Sequence, residues 1–333
     1  MITVLKSGML TTIQDTGRHG FQQFGVVASG SMDIVSNRIA NVLVGNEEHE
    51  AVLEITLTGP TLRFGENALI ALCGADLSPI VDGIPIRMDR PVFIKKGGLL
   101  SFGNCKSGSR TYLAVAGGFS APIVMNSKST YLRAAIGGFE GRALLIGDQL
   151  SIGTPSKRCK SIINKLSETY LVKEMGWSVG SIPLSLNNNT NPIRVMEGPQ
   201  FHLFSKLSQV QFYSSPFQMT QQSDRMGFRI KGPTLSLENT VEMISEAVSF
   251  GTIQVPPNGN PIILLADRQT TGGYPKIGQI ATIDLPIVAQ KKPGDWLSFT
   301  PISVNDSQKL FIQWEQKFKL LKIGISTYLS RGV

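Results

Sequence analysis

The chain reads as a mainly β protein built from two tandem barrel-like domains with a few short helices, and three observations carry that reading. Short apolar runs bounded by Gly, Pro, Asn or Asp recur along its whole length, as at 53–57, 68–72, 111–115, 193–196 and 262–265. Glycine and proline number 34 and 18 of 333 residues, which suits many turns. The halves also repeat short elements. Leu57-Thr58-Gly59-Pro60-Thr61-Leu62 matches Ile230-Lys231-Gly232-Pro233-Thr234-Leu235, and Gly147-Asp148-Gln149-Leu150-Ser151 matches Gly294-Asp295-Trp296-Leu297-Ser298. Arg18-His19-Gly20-Phe21 and Arg225-Met226-Gly227-Phe228 stand upstream of the first pair. Their common order points to a duplicated unit.

Helices are few. The clearest is predicted over 32–44, with Ser31 as N-cap, an apolar face of Met32, Val35, Ile39, Val42 and Leu43, and Gly45 as the stop. A second is predicted over 200–207, a short third over 130–135, and a fourth over 307–322 with Leu310, Trp314, Phe318 and Leu321 at helical spacing. The stretch 155–192 begins basic and ends in Asn187-Asn188-Asn189-Thr190-Asn191, the composition of a linker or exposed insertion. The expected division is therefore a first domain over 1–155, a linker over 156–192, a second domain over 193–305 and a helical tail over 306–333.

With 41% hydrophobic and 17% charged residues, a packed core is expected. No apolar run approaches the roughly 18–20 residues that cross a bilayer. The opening MITVLKSGML lacks the apolar stretch of a signal peptide, so a cytoplasmic protein with no membrane partner is the expectation. Cys73, Cys105 and Cys159 are widely spaced and form no disulfide or zinc pattern. The net charge of +8 is spread along the chain, with enrichment at 157–173 and 309–322 and no aromatic-interleaved patch. That argues against nucleic acid and leaves an acidic ligand or partner as its explanation. His19, His49 and His202 fall in no metal-ligand spacing. HExxH, Walker A, GxSxG and a strand-borne GxGxxG are all missing.

Two constellations remain. The more informative is 254–274, QVPPNGNPIILLADRQTTGGY, where an apolar run opens into a polar, glycine-containing loop. It offers Gln254, Asp267, Arg268, Gln269, Thr270, Thr271 and Tyr274, with Lys276 just beyond. Lys276 or Arg268 suits stabilisation of negative charge on a carbonyl oxygen. Asp267 serves either as a base or as the ion-pair partner of Arg268. The other constellation is Gln14, Asp15 and Arg18 followed by Ser29, Gly30 and Asp33. Arg18 has the planar fork that clamps a carboxylate, and Asp15 accepts an amide N–H or orients Arg18. The backbone N–H groups at 29–33 suit an anion at a helix start. The bland alternative is a structural turn at Asp15 and Arg18 with Ser31 and Asp33 capping the helix.

These same residues carry a family resemblance. QDTGRHGFQQFGVVASGSMDIVSNRIANVLVGN, LEITLTGPTLRF, YLAVAGGF, STYLRAAIGGFEGRALLIGD, DRMGFRIKGPTL and GTIQVPPNGNPIILLADRQTTGGYPKIGQI resemble the KipA family. It is also called the 5-oxoprolinase C-subunit family, or the allophanate-hydrolase subunit 2 and biotin-dependent carboxyltransferase family. The match spans about residues 2–299. Val27-Ala28 stands where the family pattern has a proline before Ser29-Gly30, a change that touches loop stiffness.

The resemblance implies two cyclophilin-like β-barrel domains in tandem. It implies a hydrolase complex that opens 5-oxo-L-proline to L-glutamate with ATP, formed with two partners, a KipI-like protein and a LamB/YcsF-like protein. ATP would be used by the assembly and not by a P-loop here, and the chain alone would be inactive. Asp267, Arg268, Lys276 and Asp33 are then the expected catalytic residues. Gln14, Asp15, Arg18, Ser29, Gly30, Gln254, Thr270, Thr271 and Tyr274 would bind the small amide substrate. Two other functions fit the same family: a regulatory antagonist of KipI in sporulation kinase control, and a carboxyltransferase half-site as in urea carboxylase. The chain has no Met-Lys-Met biotin acceptor, so biotin would come from another protein.

Overall fold

The computed structural model describes residues 1–179, 192–239 and 241–331. They fall into two compact units. The first takes in Met1–Arg18, Ser29–Ser185 and Lys317–Val333, and the second His19–Ala28 and Leu186–Gln316.

In the first unit twelve strands form two sheets. They are β1 (Ile2–Lys6), β2 (Leu10–Gln14), β3 (Val52–Thr56), β4 (Thr61–Phe64), β5 (Ala68–Asp76), β6 (Pro79–Val81), β7 (Ile84–Pro85), β8 (Pro91–Ile94), β9 (Leu99–Phe102), β10 (Ser107–Val115), β11 (Gln149–Leu150) and β12 (Val172–Glu174). One sheet runs β11-β1-β4-β9-β6-β7 and the other β12-β8-β5-β10-β3-β2. Ala68, Ile70 and Leu72 of β5 join Leu113 and Val115 of β10 in the core with Ile2, Val4, Leu62 and Phe64. The alternate residues Leu69, Ala71, Cys73, Tyr112 and Ala114 are buried too. Period-two alternation puts them on the opposite face, where helix α1 (Ile34–Leu43) packs against β5 and β10. A sheet covered on both faces explains why its strands read as continuous apolar runs.

The second unit carries β13 (Ile193–Glu197), β14 (Phe217–Met219), β15 (Gly227–Lys231), β16 (Glu246–Ala247), β17 (Thr252–Gln254), β18 (Ile262–Leu264), β19 (Thr271–Gly272), β20 (Lys276–Ile280), β21 (Trp296–Leu297) and β22 (Phe299–Pro301). Eight of them form one sheet in the order β21-β14-β15-β18-β17-β20-β13-β22, a nearly closed barrel. Phe212, Phe217 and Phe299 fill its interior, with the Phe212 and Phe299 rings stacked 4.9 Å apart. Strands β16 and β19 pair separately, Glu246 opposite Gly272 and Ala247 opposite Thr271.

Several elements differ from expectation for local reasons. Helix α1 begins at Ile34 because Asp33, not Ser31, accepts the Ser36 N–H at 2.9 Å. The Ser31 hydroxyl instead accepts from Asn37 Nδ2 at 2.6 Å. The predicted helix at 200–207 is a 3-10 turn, Phe201–Leu203, followed by α3 (Lys206–Ser214), whose own N-cap is Ser205. The stretch 130–135 holds only the 3-10 turn Leu132–Ala134, ended by Ala135 at φ 52. The expected linker contains α2 (Lys157–Ser167), capped by Ser156 and burying Cys159, Ile162, Ile163 and Leu166. It also supplies β12, which pairs with β8. The asparagine run at 187–191 lies outside the described residues. After α4 (Leu285–Ala289), the tail forms α5 (Val304–Arg331), longer than predicted because Ile325 and Leu329 continue the buried spacing of Trp314 and Phe318. Residues 317–331 and 157–174 thus belong with the first unit, outside the expected limit at 155.

The repeat is physical at its Gly-Asp turn. Gly147 and Gly294 both sit at φ 93. Gly147 N donates to Val4 O and Val4 N to Asp148 O; Gly294 N donates to Met219 O and Met219 N to Asp295 O. Asp148 Oδ2 accepts from Leu145 N as Asp295 Oδ2 accepts from Lys292 N.

Candidate functional site

The first-unit cluster is wired into its own framework. Asp15 Oδ1 accepts from Gly17 N at 2.8 Å and Ser127 Oγ at 2.7 Å, and its Oδ2 accepts from Lys128 N at 2.6 Å. Arg18 is 1% exposed. Its Nε donates to Val124 O at 3.1 Å and its Nη2 to Ser129 O at 2.6 Å. A Cβ on Gly137, whose φ is +67, would lie 2.8 Å from Arg18 Nη2, so the glycine makes room for the guanidinium. Arg18 Nε and Nη2 therefore clamp the 124–129 segment. Gln14 is buried, its Nε2 donating to Thr12 Oγ1 and Thr130 O.

The helix start is equally committed. Ser31 N donates to Asp15 O, Met32 N to Glu54 Oε2 and Asp33 N to the Tyr112 hydroxyl, all at 2.8 Å. Those three N–H groups are not open to an anion, which corrects the expectation for 29–33. Tyr112 OH in turn donates to Glu54 Oε2 at 2.9 Å. Burial holds the Tyr112 phenol well above its ordinary range. Asp33 is 2% exposed and caps α1 through Ser36 N and Ser36 Oγ. Gly30, at φ 92, leaves no room for a Cβ, which would lie 2.8 Å from Gly17 Cα. Ser29 holds a left-handed φ of 53. Ser29 Oγ and Gln14 Oε1 are buried atoms of this cluster without a hydrogen bond among the described residues.

The second-unit loop is built differently. Asp267 accepts from Arg225 Nε at 2.9 Å and Nη2 at 3.1 Å, a bidentate pair with both side chains 6% exposed. Its partner is therefore Arg225 and not Arg268, and a carboxylate held this way is not poised as a base. The sequence contained Arg225 in its repeated motif, yet adjacency favoured Arg268. Arg268 donates to Val248 O and Leu265 O, both at 3.3 Å, and burial lowers its pKa. Gln254 is buried, with its Nε2 donating to Tyr274 O. A Cβ on Gly272 would come within 2.4 Å of Gln254 Nε2, so a larger residue there would have to push the Gln254 amide aside. Thr270 is half-buried, and Thr271 and Tyr274 are exposed.

Lys276 is 5% exposed, and its Nζ donates to Glu246 Oε2 at 2.5 Å. The Glu246 side chain is 53% exposed. The Lys276 ammonium holds the Glu246 carboxyl below its usual range. Gln200 braces the pair, Oε1 accepting from Lys276 N at 3.2 Å and Nε2 donating to Glu246 Oε2 at 3.4 Å. Neither Glu246 nor Gln200 was legible as functional, since neither lies in a motif. Among the described residues there is no cluster able to hold a metal ion and no helix long and apolar enough to cross a membrane.

The model of the carboxyltransferase domain, subdomain A and B, matches residues 24–301. The chain belongs to this family. It is 39% identical to the 5-oxoprolinase C subunit of Escherichia coli K12 over 321 residues, covering 96% of this chain and 97% of that protein. It is 38% identical to the 5-oxoprolinase C subunit of Haemophilus influenzae, covering 93% of this chain and 94% of that one. The crystal structure of the Kluyveromyces lactis urea carboxylase superposes with a TM-score of 0.83 at 30% identity, over 95% of this chain and 28% of that longer one. Family membership and the observed barrel agree with the fold read from sequence.

Proposed function

We propose that the chain is the C subunit of an ATP-dependent 5-oxoprolinase, acting with a KipI-like protein and a LamB/YcsF-like protein as its partners. The observation that carries this is the likeness to two proteins named as 5-oxoprolinase C subunits, over nearly the full length of both chains in each comparison.

The chemistry asked of the site is modest. Opening the lactam adds water across the C–N bond: oxygen joins the carbonyl carbon, and the ring nitrogen takes a proton and becomes the amine of glutamate. Negative charge gathers on the carbonyl oxygen as that carbon is attacked. The substrate also carries a carboxylate throughout. Lys276 supplies buried positive charge for the substrate in a region shielded from water, where such charge acts strongly. Arg268, held by two long hydrogen bonds, turns its guanidinium to the lactam oxygen, with Thr270, Thr271 and Tyr274 as neighbouring donors. Asp267 acts by fixing Arg225 and the base of the loop, and Asp33 by fixing α1. ATP is used by the assembled complex and not through a P-loop in this chain, which has no Walker A loop.

Reconstitution tests this reading. Glutamate release from 5-oxo-L-proline and ATP is measured with the two partner proteins, with and without this chain. Turnover that depends on the chain is the expected result. A stable complex with the KipI-like partner and no turnover supports the regulatory function instead. The likeness to urea carboxylase favours one further alternative, a carboxyltransferase half-site, and avidin-sensitive transfer to urea would establish it.

A further inference from the structure

We infer that Lys276 and Gln200 form a carboxylate-binding subsite, occupied in this structure by the protein's own Glu246, which a substrate carboxylate must displace. The inference rests on the reading of the second-unit loop as the substrate site.

Three observations converge. The first is an imbalance of burial. Lys276 is 5% exposed, whereas the carboxylate it holds is on a side chain 53% exposed. A buried ammonium without an anion is costly, so a pocket that keeps one needs an occupant. The second is how the occupant is attached. Glu246 lies on the two-residue strand β16, whose partner is the equally short β19. Val248 N also donates to Thr270 O at 3.1 Å. Val248 is buried and its O accepts from Arg268 Nε at 3.3 Å, but on the N-terminal side of this anchor the segment is largely open to solvent, with Ile244 84% exposed and Glu242 and Ser245 also exposed. Such a segment opens at small cost compared with the barrel strands. The third is the geometry around the ammonium. Gln200 turns its amide oxygen to Lys276 N and its amide nitrogen to the Glu246 carboxylate. A Lys ammonium and a Gln amide N–H directed at the same oxygen make a carboxylate acceptor site. Glycine at 272 and 273 keeps the floor low: a Cβ at Gly273 would already stand 3.2 Å from Ser245 Oγ.

Glu246 is thus an internal stand-in for the anionic group of the ligand, and residues 241–248 are the flap that carries it. An incoming carboxylate takes the two donors, Glu246 leaves with the flap, and the neighbouring Thr271, Gly272 and Tyr274 are uncovered. Ligand affinity is reduced by the fraction of time Glu246 occupies the subsite, and removing that competitor raises it.

Hydrogen exchange at residues 241–248, followed by mass spectrometry on the full chain, tests this at matched ionic strength. Glu246→Gln and Lys276→Met should each speed exchange there roughly five-fold or more. Sodium acetate should speed it in the wild type and not in Lys276→Met. 5-Oxo-L-proline should do the same, and pyrrolidin-2-one, the same lactam without a carboxylate, should not. Exchange in Glu246→Gln within about two-fold of wild type would overturn the latch, as would equal effects of the two lactams. Acetate acting where 5-oxo-L-proline does not would uphold the subsite and count against 5-oxoproline as its ligand. That separates failure of the subsite from failure of the function proposed above.

Discussion

The two polar clusters look alike in sequence and differ in what their side chains hold. Around Asp15, Arg18 and Asp33, the hydrogen bonds made go to main-chain groups or side chains of the same framework: Asp15 takes Gly17 N and Lys128 N, Arg18 gives to Val124 O and Ser129 O, and Asp33 caps α1, while Ser29 Oγ and Gln14 Oε1 make none among the described residues. Around Lys276, a buried cation is held by a carboxylate on an exposed, briefly paired segment. Main-chain partners cannot leave without unfolding the element. A side chain on an edge strand can. On the proposal above, that difference makes the first cluster scaffold and the second the place where a ligand exchanges with the protein's own group.

The comparison can be broken at several points. The largest expected effect is on stability. Asp267→Ala takes the bidentate carboxylate away from a buried Arg225 and should cost about 3–5 kcal/mol, read from urea unfolding. A loss below about 1 kcal/mol would mean the pair is solvated and Asp267 is open to chemistry after all.

Next is Lys276→Met, which keeps an unbranched apolar stem one atom shorter and removes the charge. In the assembled complex it should lower kcat/KM about 100-fold while the unfolding midpoint stays near wild type. A matching loss of stability would make Lys276 scaffold, like Arg18.

A third variant probes the electrostatics beneath α1. Burial is the main cause that raises the Asp89 carboxyl to about 6 from an ordinary 3.8, and the Asp33 charge adds to it. Because the folded value is the higher one, the neutral acid is favoured in the fold. The stability this gives is fully present below about 3.8 and is lost as pH rises through about 6. Asp89→Asn keeps an acceptable residue at φ 59. It should stabilise the chain at pH 7 by up to about 2 kcal/mol, with the gain vanishing below about pH 4. A gain that does not change with pH would contradict this.

The smallest effect is expected at Ser29. Its hydroxyl has no hydrogen bond among the described residues, so Ser29→Ala should change stability by less than about 1 kcal/mol. Turnover of the complex should stay within about two-fold, and a larger loss would reopen the first cluster as a binding site.

Much of the fold was legible because it follows local rules. The apolar runs at 53–57, 68–72, 111–115, 193–196 and 262–265 fall on β3, β5, β10, β13 and β18, and the Gly-Asp repeat at 147–148 and 294–295 marked equivalent turns that share a hydrogen-bond pattern. Helix limits were less legible, since Ser31 and Asp33 are both good caps and only the fold shows which one faces Ser36 N. Residues 157–174 read as a linker because their polar face dominates the composition, although Cys159, Ile162, Ile163 and Leu166 are buried. The site was half legible. Composition picked out the loop at 267–276 but paired Asp267 with its neighbour in sequence, when its partner Arg225 lies forty-two residues away. Glu246 and Gln200 carry no local signal at all, because their role comes from chain segments that only folding brings to Lys276.

On the proposed function, chemistry belongs to the Lys276 loop and support to the Arg18 cluster. The most direct test is glutamate release by the reconstituted complex carrying Lys276→Met, with assembly verified on the same sample. The expected result is an intact complex with turnover reduced about 100-fold at low substrate. Turnover within about three-fold of wild type in that complex would contradict it.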